Sequence, residues 1–143
     1  WYGERQTGAI KYAYRYGLMS GRADGTFDPL GNMTVAEAIT IAARVHDIYY
    51  ANETEFDTTG DFWYEDYVSY AISNGIIKRT DFSNYDRKIT RREMAKIFAN
   101  IIPEDEMEEI NEVTELPDVD EDDECFDEIL YLYTNTVANK CIL

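Results

Sequence analysis

Positive charge is what this sequence has least of. Thirteen lysines and arginines face 29 aspartates and glutamates, for a formal charge of -16. No basic stripe is available to displace counterions from phosphate, which argues against nucleic acid as a partner. No stretch approaches the ~20 apolar residues that a membrane helix needs, so membrane insertion is not expected. A positive-then-apolar leader is also missing at the start; the chain opens at Trp1-Tyr2 inside an expected helix and reads as an excised piece. Two cysteines do not make a disulfide framework. Cys125 and Cys141 flank an expected helix, and at ~1.5 Å per residue they lie ~24 Å apart, too far for a bridge. The only histidine is His46. No phosphate loop, nucleophile elbow or metal-ligand cluster is present, and no pattern sets two carboxylates across a cleft. The expectation is a protein without cofactor or metal that is not an enzyme.

What is present is enough apolar material for a core: 45% of the residues are hydrophobic and 14% aromatic, with twelve tyrosines. Tyrosine suits positions half in a core and half in water, and it suits sugar-facing surfaces.

Internal repetition organises the rest. Ile10, Ala13, Tyr14, Gly17 and Leu18 share one helical face. Adding 58 to each number gives Val68, Ala71, Ile72, Gly75 and Ile76, with glycine again where a helix stops. The offset then falls to 56. Met33-Thr34-x-x-Glu37 matches Ile89-Thr90-x-x-Glu93, and Ala38, Ile41, Ala42 and Val45 match Met94, Ile97, Phe98 and Ile101. Each unit therefore reads as helix, loop, helix, with two residues fewer in the second loop.

The first loop, Gly21 to Pro29, carries the turn-forming pairs Asp24-Gly25 and Asp28-Pro29, and Phe27 is placed to plug the gap between helices. Asp24 and Asp28 lack the alternating ligands and terminal glutamate of a calcium loop, so turn formation is the expectation. Asp81, Phe82 and Tyr85 replace this loop in the second copy. Thr34 with Glu37, and Thr90 with Glu93, are capping boxes that start the second helix of each unit. His46 falls in the last turn of such a helix, where a partly charged imidazole suits the dipole. A third copy begins at Leu116-Pro117-Asp118-Val119 and runs into the stripe Phe126, Ile129, Leu130, Tyr133 and Val137.

The expected layout is a first repeat at 1–50 without its lead-in, a second at 51–103, an acidic linker at 104–115, and the start of a third at 116–143. A short helix is expected from Glu106 to Val113. The acidic run Asp118 to Asp123 reads as a solvated lead-in.

These residues resemble the S-layer homology (SLH) family. Gly17-Leu18-Met19-Ser20-Gly21 and Asp24-Gly25-Thr26-Phe27-Asp28-Pro29 match its loop, and Ile89-Thr90-Arg91-Arg92-Glu93 matches its Ile-Thr-Arg-Ala-Glu helix start. Phe56-Asp57 with Trp63, and Leu116-Pro117-Asp118-Val119, match its lead-ins. The resemblance implies an all-α fold of helix-loop-helix repeats in a pseudo-threefold arrangement, incomplete here at both ends. It also implies a bacterial, extracellular module that tethers a larger exported protein to secondary cell-wall polysaccharide, often pyruvylated, or to peptidoglycan-linked glycan.

The candidate ligand-binding residues follow from that chemistry. A pyruvate ketal presents a carboxylate that an arginine fork binds, and Arg91 follows the Thr90 cap where helix amides also favour an anion. Lys78 and Arg79 add positive potential. Trp63 either stacks on a sugar or packs between repeats. The first repeat has Val35 where the second has Arg91, which makes a first groove weak or silent. Two other readings compete: a degenerate SLH-type protein-interaction module without glycan binding, and an accessory piece of a surface hydrolase. Self-association through the incomplete repeats is a further expectation.

Overall fold

A computed structural model describes residues 2–22, 24–28, 31–113, 116 and 119–137, with backbone alone for 2–7, 136 and 137. The described chain is mostly helical, and it divides into two compact units, Trp1–Asn32 and Met33–Leu143.

The first unit holds α1 (Tyr2–Arg15) and the glycine-bounded loop. The helix stops where Gly17 turns left-handed at φ 68°, and the Leu18 amide reaches back to the Ala13 carbonyl at 2.9 Å. Beyond it, the Arg22 amide donates to the Thr26 carbonyl at 2.8 Å, and Asp24 accepts from both the amide and the hydroxyl of Thr26. Asp28 pairs with Arg22 at 2.7 Å. Both aspartates thus serve the turn.

The second unit contains α2 (Val35–Tyr50), α3 (Glu65–Ser73), α4 (Arg91–Ala99) and α5 (Phe126–Thr134). α3 ends as α1 does. Gly75 is left-handed at φ 73°, and Ile76 donates to Ala71 at 2.9 Å. The offset of 58 read from side-chain types therefore recurs bond for bond in the backbone.

The helices pack across the repeat boundaries. α2 lies on α3, α4 lies on α5, and α2 also meets α4. The consecutive helices α3 and α4 of the second repeat are not a principal pair. A helix-loop-helix repeat here is a sequence unit, whereas the packing unit joins the second helix of one repeat to the first helix of the next.

This explains the core. Because α2 faces two neighbours, it needs a broad apolar side, and Val35, Ala38, Ile39 and Ala42 are all fully buried. Ile41, expected in the buried stripe, is only half-buried, and Ile39 takes its place. Ala71, Ile76, Ile77, Phe82, Ile97 and Ile101 complete the cluster. Phe82, read from sequence only as part of the replacement for the first loop, is buried in this cluster.

Between α4 and α5 the expected short helix from Glu106 to Val113 is not formed. A single 3₁₀ turn, Glu104–Glu106, leads instead into strand β1 (Met107–Glu109). β1 pairs antiparallel with β2 (Asn135–Val137), Met107 opposite Val137 and Glu109 opposite Asn135. Four glutamates and one aspartate in residues 104–109 make a poor isolated helix, and in β1 the ladder takes up backbone groups instead. α5 accordingly stops at Thr134, so Val137 belongs to the ribbon and not to the helical stripe. Cys125, just before α5, is buried and free, and Cys141 lies outside the described residues.

Candidate functional site

The two capping boxes start α2 and α4 in the same way. Thr34 accepts from the Glu37 amide at 3.2 Å and Glu37 reaches back to the Thr34 amide at 2.7 Å. Thr90 and Glu93 repeat this at 3.2 and 3.0 Å. Each box satisfies two of the amides that a helix start leaves open, which is the role read for them from sequence.

What lies beyond the boxes differs sharply. At α2 the second repeat's loop covers the helix end: the Val35 amide donates to the Arg87 carbonyl at 3.0 Å and the Ala36 amide to the Tyr85 carbonyl at 2.9 Å. Ile89 donates to Met33 at 3.0 Å, and Thr34 bridges Lys88. Val35 itself is 0% exposed. This position carries valine in place of arginine, its side chain is buried, and its amides are taken.

At α4 the corresponding Arg91 is exposed, and among the described residues it makes no hydrogen bond or ion pair. Two neighbouring arginines are committed. Arg87 forks onto Glu93 with contacts of 2.9 and 2.5 Å, and Arg92 pairs with Asp123 at 2.5 Å. The Arg87 fork is the largest influence on Glu93, with the Thr90 cap assisting, and together they overcome its burial to push the carboxyl down to about 2. Sequence reading missed both pairings. The clue for Arg87 was its place six residues before a capping glutamate, and Asp123 was read only as solvated. Arg91 is left, among the described residues, as an uncommitted positive charge at an N-terminal helix turn, where the dipole favours an anion.

The other expected site residues are distributed. Lys78 and Arg79 are exposed in the turn after α3, where the Lys78 amide donates to Asp81 at 2.7 Å. Trp63 precedes α3 and is 42% exposed, its ring edge-on to Tyr64 and Tyr67 at 5.6 and 6.5 Å. Its neighbour Phe62, which sequence reading passed over, is 52% exposed and stacks on Tyr64. Trp63 thus belongs to the α2–α3 pair and Arg91 to the α4–α5 pair, and the structure records no contact between them. Counting back from α5 as Trp63 stands before α3, the matching residue is Glu124. The aromatic therefore precedes α3 in one pair, and the other pair has a glutamate at the matching position before α5.

His46 is not the partly charged end-of-helix residue expected. It lies a turn before the end of α2, 8% exposed, with Nδ1 2.9 Å from the Tyr70 hydroxyl and rings of Tyr50 and Tyr70 against it. Burial holds its pKa below the usual 6.5, with Asp47 pulling weakly the other way. Among the described residues no group of three or more metal-ligating side chains comes together. No described helix is long and apolar enough to cross a membrane.

The chain is thus a mostly helical repeat protein whose capped second helices dock across repeat boundaries. The S-layer homology domain family matches residues 6–39 and 55–95, together just over half of the chain. The chain belongs to the S-layer homology family. It is also similar to the Surface-layer 125 kDa protein of Lysinibacillus sphaericus, with 31% identity over 96 residues, covering 64% of this chain and 8% of that protein. The chain therefore spans less than a tenth of that relative's length. No solved structure matches it.

Proposed function

We propose that the chain is part of a non-catalytic cell-surface anchoring module that holds secondary cell-wall polysaccharide and so tethers a larger exported protein outside the cell. The observation that carries this reading is Arg91: an exposed guanidinium without an ion pair among the described residues, in a protein of charge -16, at a capped helix start. An arginine left uncommitted among so many carboxylates is suited to an incoming anion, and a pyruvylated sugar supplies a carboxylate of matching geometry. Thr90 holds the turn in place, Lys78 and Arg79 raise the local potential, and Trp63 offers a ring to a sugar face. In this reading residues 1–50, 51–103 and 116–143 are repeats of a pseudo-threefold domain joined by the acidic stretch 104–115.

Sedimentation with purified walls, before and after their secondary polymer is stripped, tests the reading. Binding that disappears on stripping supports it; binding indifferent to stripping contradicts it.

A second reading has its own observation. The closed end of α2, where Val35 is buried under the second loop, favours a degenerate module that contacts protein and not glycan. Wall binding that survives stripping but not protease treatment of the wall would select it, and self-association through the incomplete repeats would appear as concentration-dependent mass. An accessory role in a surface hydrolase has no supporting geometry, and wall hydrolysis by this chain alone would be needed to revive it.

A further inference from the structure

Three helices of the second unit end on one cleft, and each ends on asparagine. Asn74, Asn100 and Asn135 are the C-caps of α3, α4 and α5, and all three line a cleft of about 740 Å³. Each turns its side-chain NH₂ onto a carbonyl of its own helix: Asn74 to Tyr70 at 2.9 Å, Asn100 to Lys96 at 2.8 Å, Asn135 to Tyr131 at 3.0 Å. A carbonyl only accepts, so the orientation of each amide is fixed, and each oxygen is left able to accept. Three helix C-termini also bring the negative ends of their dipoles together.

The rest of the lining has the same sign. Glu104, Glu109, Asp127 and Glu128 all line the cleft, and among the described residues none is in an ion pair. No lysine or arginine is among the lining residues. Tyr131 lines it too, and its hydroxyl is buried without a hydrogen-bond partner. The carboxylates are nevertheless too dispersed to gather on one metal ion, since no such group of ligands forms among the described residues. An occupant has to span them. Ile102, Pro103 and Leu130 add an apolar strip to one side.

We infer that this cleft binds an amino sugar: a ring whose ammonium group meets the carboxylates, whose hydroxyls donate to the asparagine oxygens, and whose C–H face lies on the apolar strip. The volume falls within the ordinary range for small-ligand sites, about 300–1,000 Å³. Asn100 and Arg91 mark opposite ends of α4, some ~13 Å apart at the helical rise, so this site is distinct from the anion-binding end and takes ligands of opposite charge.

Calorimetry of the full chain at fixed ionic strength, with a glucosamine tetramer and its fully N-acetylated counterpart as probes, tests the inference. The free-amine tetramer is expected to bind and the acetylated one to bind at least tenfold more weakly. The double variant Glu104→Gln/Asp127→Asn should lose binding by at least tenfold. Glu55→Gln/Asp61→Asn, which removes the same charge from exposed positions outside the cleft, should bind as the parent does, and so should Arg91→Ala. Thermal unfolding of each variant confirms that it folds. Absence of binding, equal binding of the acetylated tetramer, or an equal loss in the Glu55→Gln/Asp61→Asn control would each overturn the inference. Because Arg91→Ala is expected to keep amino-sugar binding, failure here is separable from failure of wall anchoring.

Discussion

The Val35 amide donates to the Arg87 carbonyl at 3.0 Å and helps to close the end of α2, whereas among the described residues its counterpart, the Arg91 amide of α4, donates to no such loop carbonyl. The two helix starts share a capping box, yet one is buried under the next repeat's loop and the other presents an exposed arginine. The same repeat position is therefore buried in one copy and exposed in the other.

Stability measurements should expose that asymmetry. Val35→Arg forces a charge into a fully buried position and is expected to cost more than about 3 kcal/mol in urea unfolding, or to prevent folding. Arg91→Val alters an exposed residue and is expected to stay within about 0.5 kcal/mol of the parent. Similar costs for the two would contradict the difference between the helix ends.

Glu93 should make stability pH-dependent in acid. Its carboxyl is held at about 2 in the fold against an ordinary 4.5, so between those values the unfolded chain binds more protons. The stabilisation is fully present above pH 4.5 and is lost as pH falls towards 2. For a partly exposed pair this amounts to roughly 1–2 kcal/mol after screening. Comparing urea midpoints at pH 5 and pH 3, Glu93→Gln should lose less on acidification than the parent; equal losses would mean that the Arg87 pair is not felt.

His46 contributes in a higher window. Its pKa is lowered in the fold, so protons bind preferentially to the unfolded chain as pH falls below 6.5. The stabilising effect of the neutral, Tyr70-bonded imidazole is present above pH 6.5 and fades on acidification through the folded pKa. Nuclear magnetic resonance titration should place the His46 pKa below 6.5, and Tyr70→Phe should change it by removing the hydroxyl at Nδ1. A value above 6.5 would contradict the buried neutral assignment.

Much of this was legible in the residues because it is local. The bond from Leu18 to Ala13 and its copy from Ile76 to Ala71 follow from glycine after an apolar stripe. The capping boxes follow from threonine and glutamate three apart. The features that were not legible are relations between distant segments. Nothing in the α2 stripe distinguishes Ile39 from Ile41 until α2 is known to lie between α3 and α4. The β1–β2 ribbon pairs a three-residue acidic strand with residues just past α5, too short for alternation to register. The commitment of Arg92 to Asp123 spans 31 positions, and only the packing of α5 on α4 brings them together. The separation of Trp63 from Arg91 has the same origin, since α3 packs on α2 and α4 on α5.

The central claim is that anchoring depends on the uncommitted arginine of α4. The most direct measurement is the affinity of Arg91→Ala and Arg91→Lys for purified, pyruvylated wall polymer at fixed ionic strength, beside a parent chain of equal thermal stability. Loss of a charge-assisted bidentate contact of about 1.5–3 kcal/mol predicts a weakening of roughly 10- to 100-fold for alanine and partial retention for lysine. Unchanged affinity in Arg91→Ala would contradict the account.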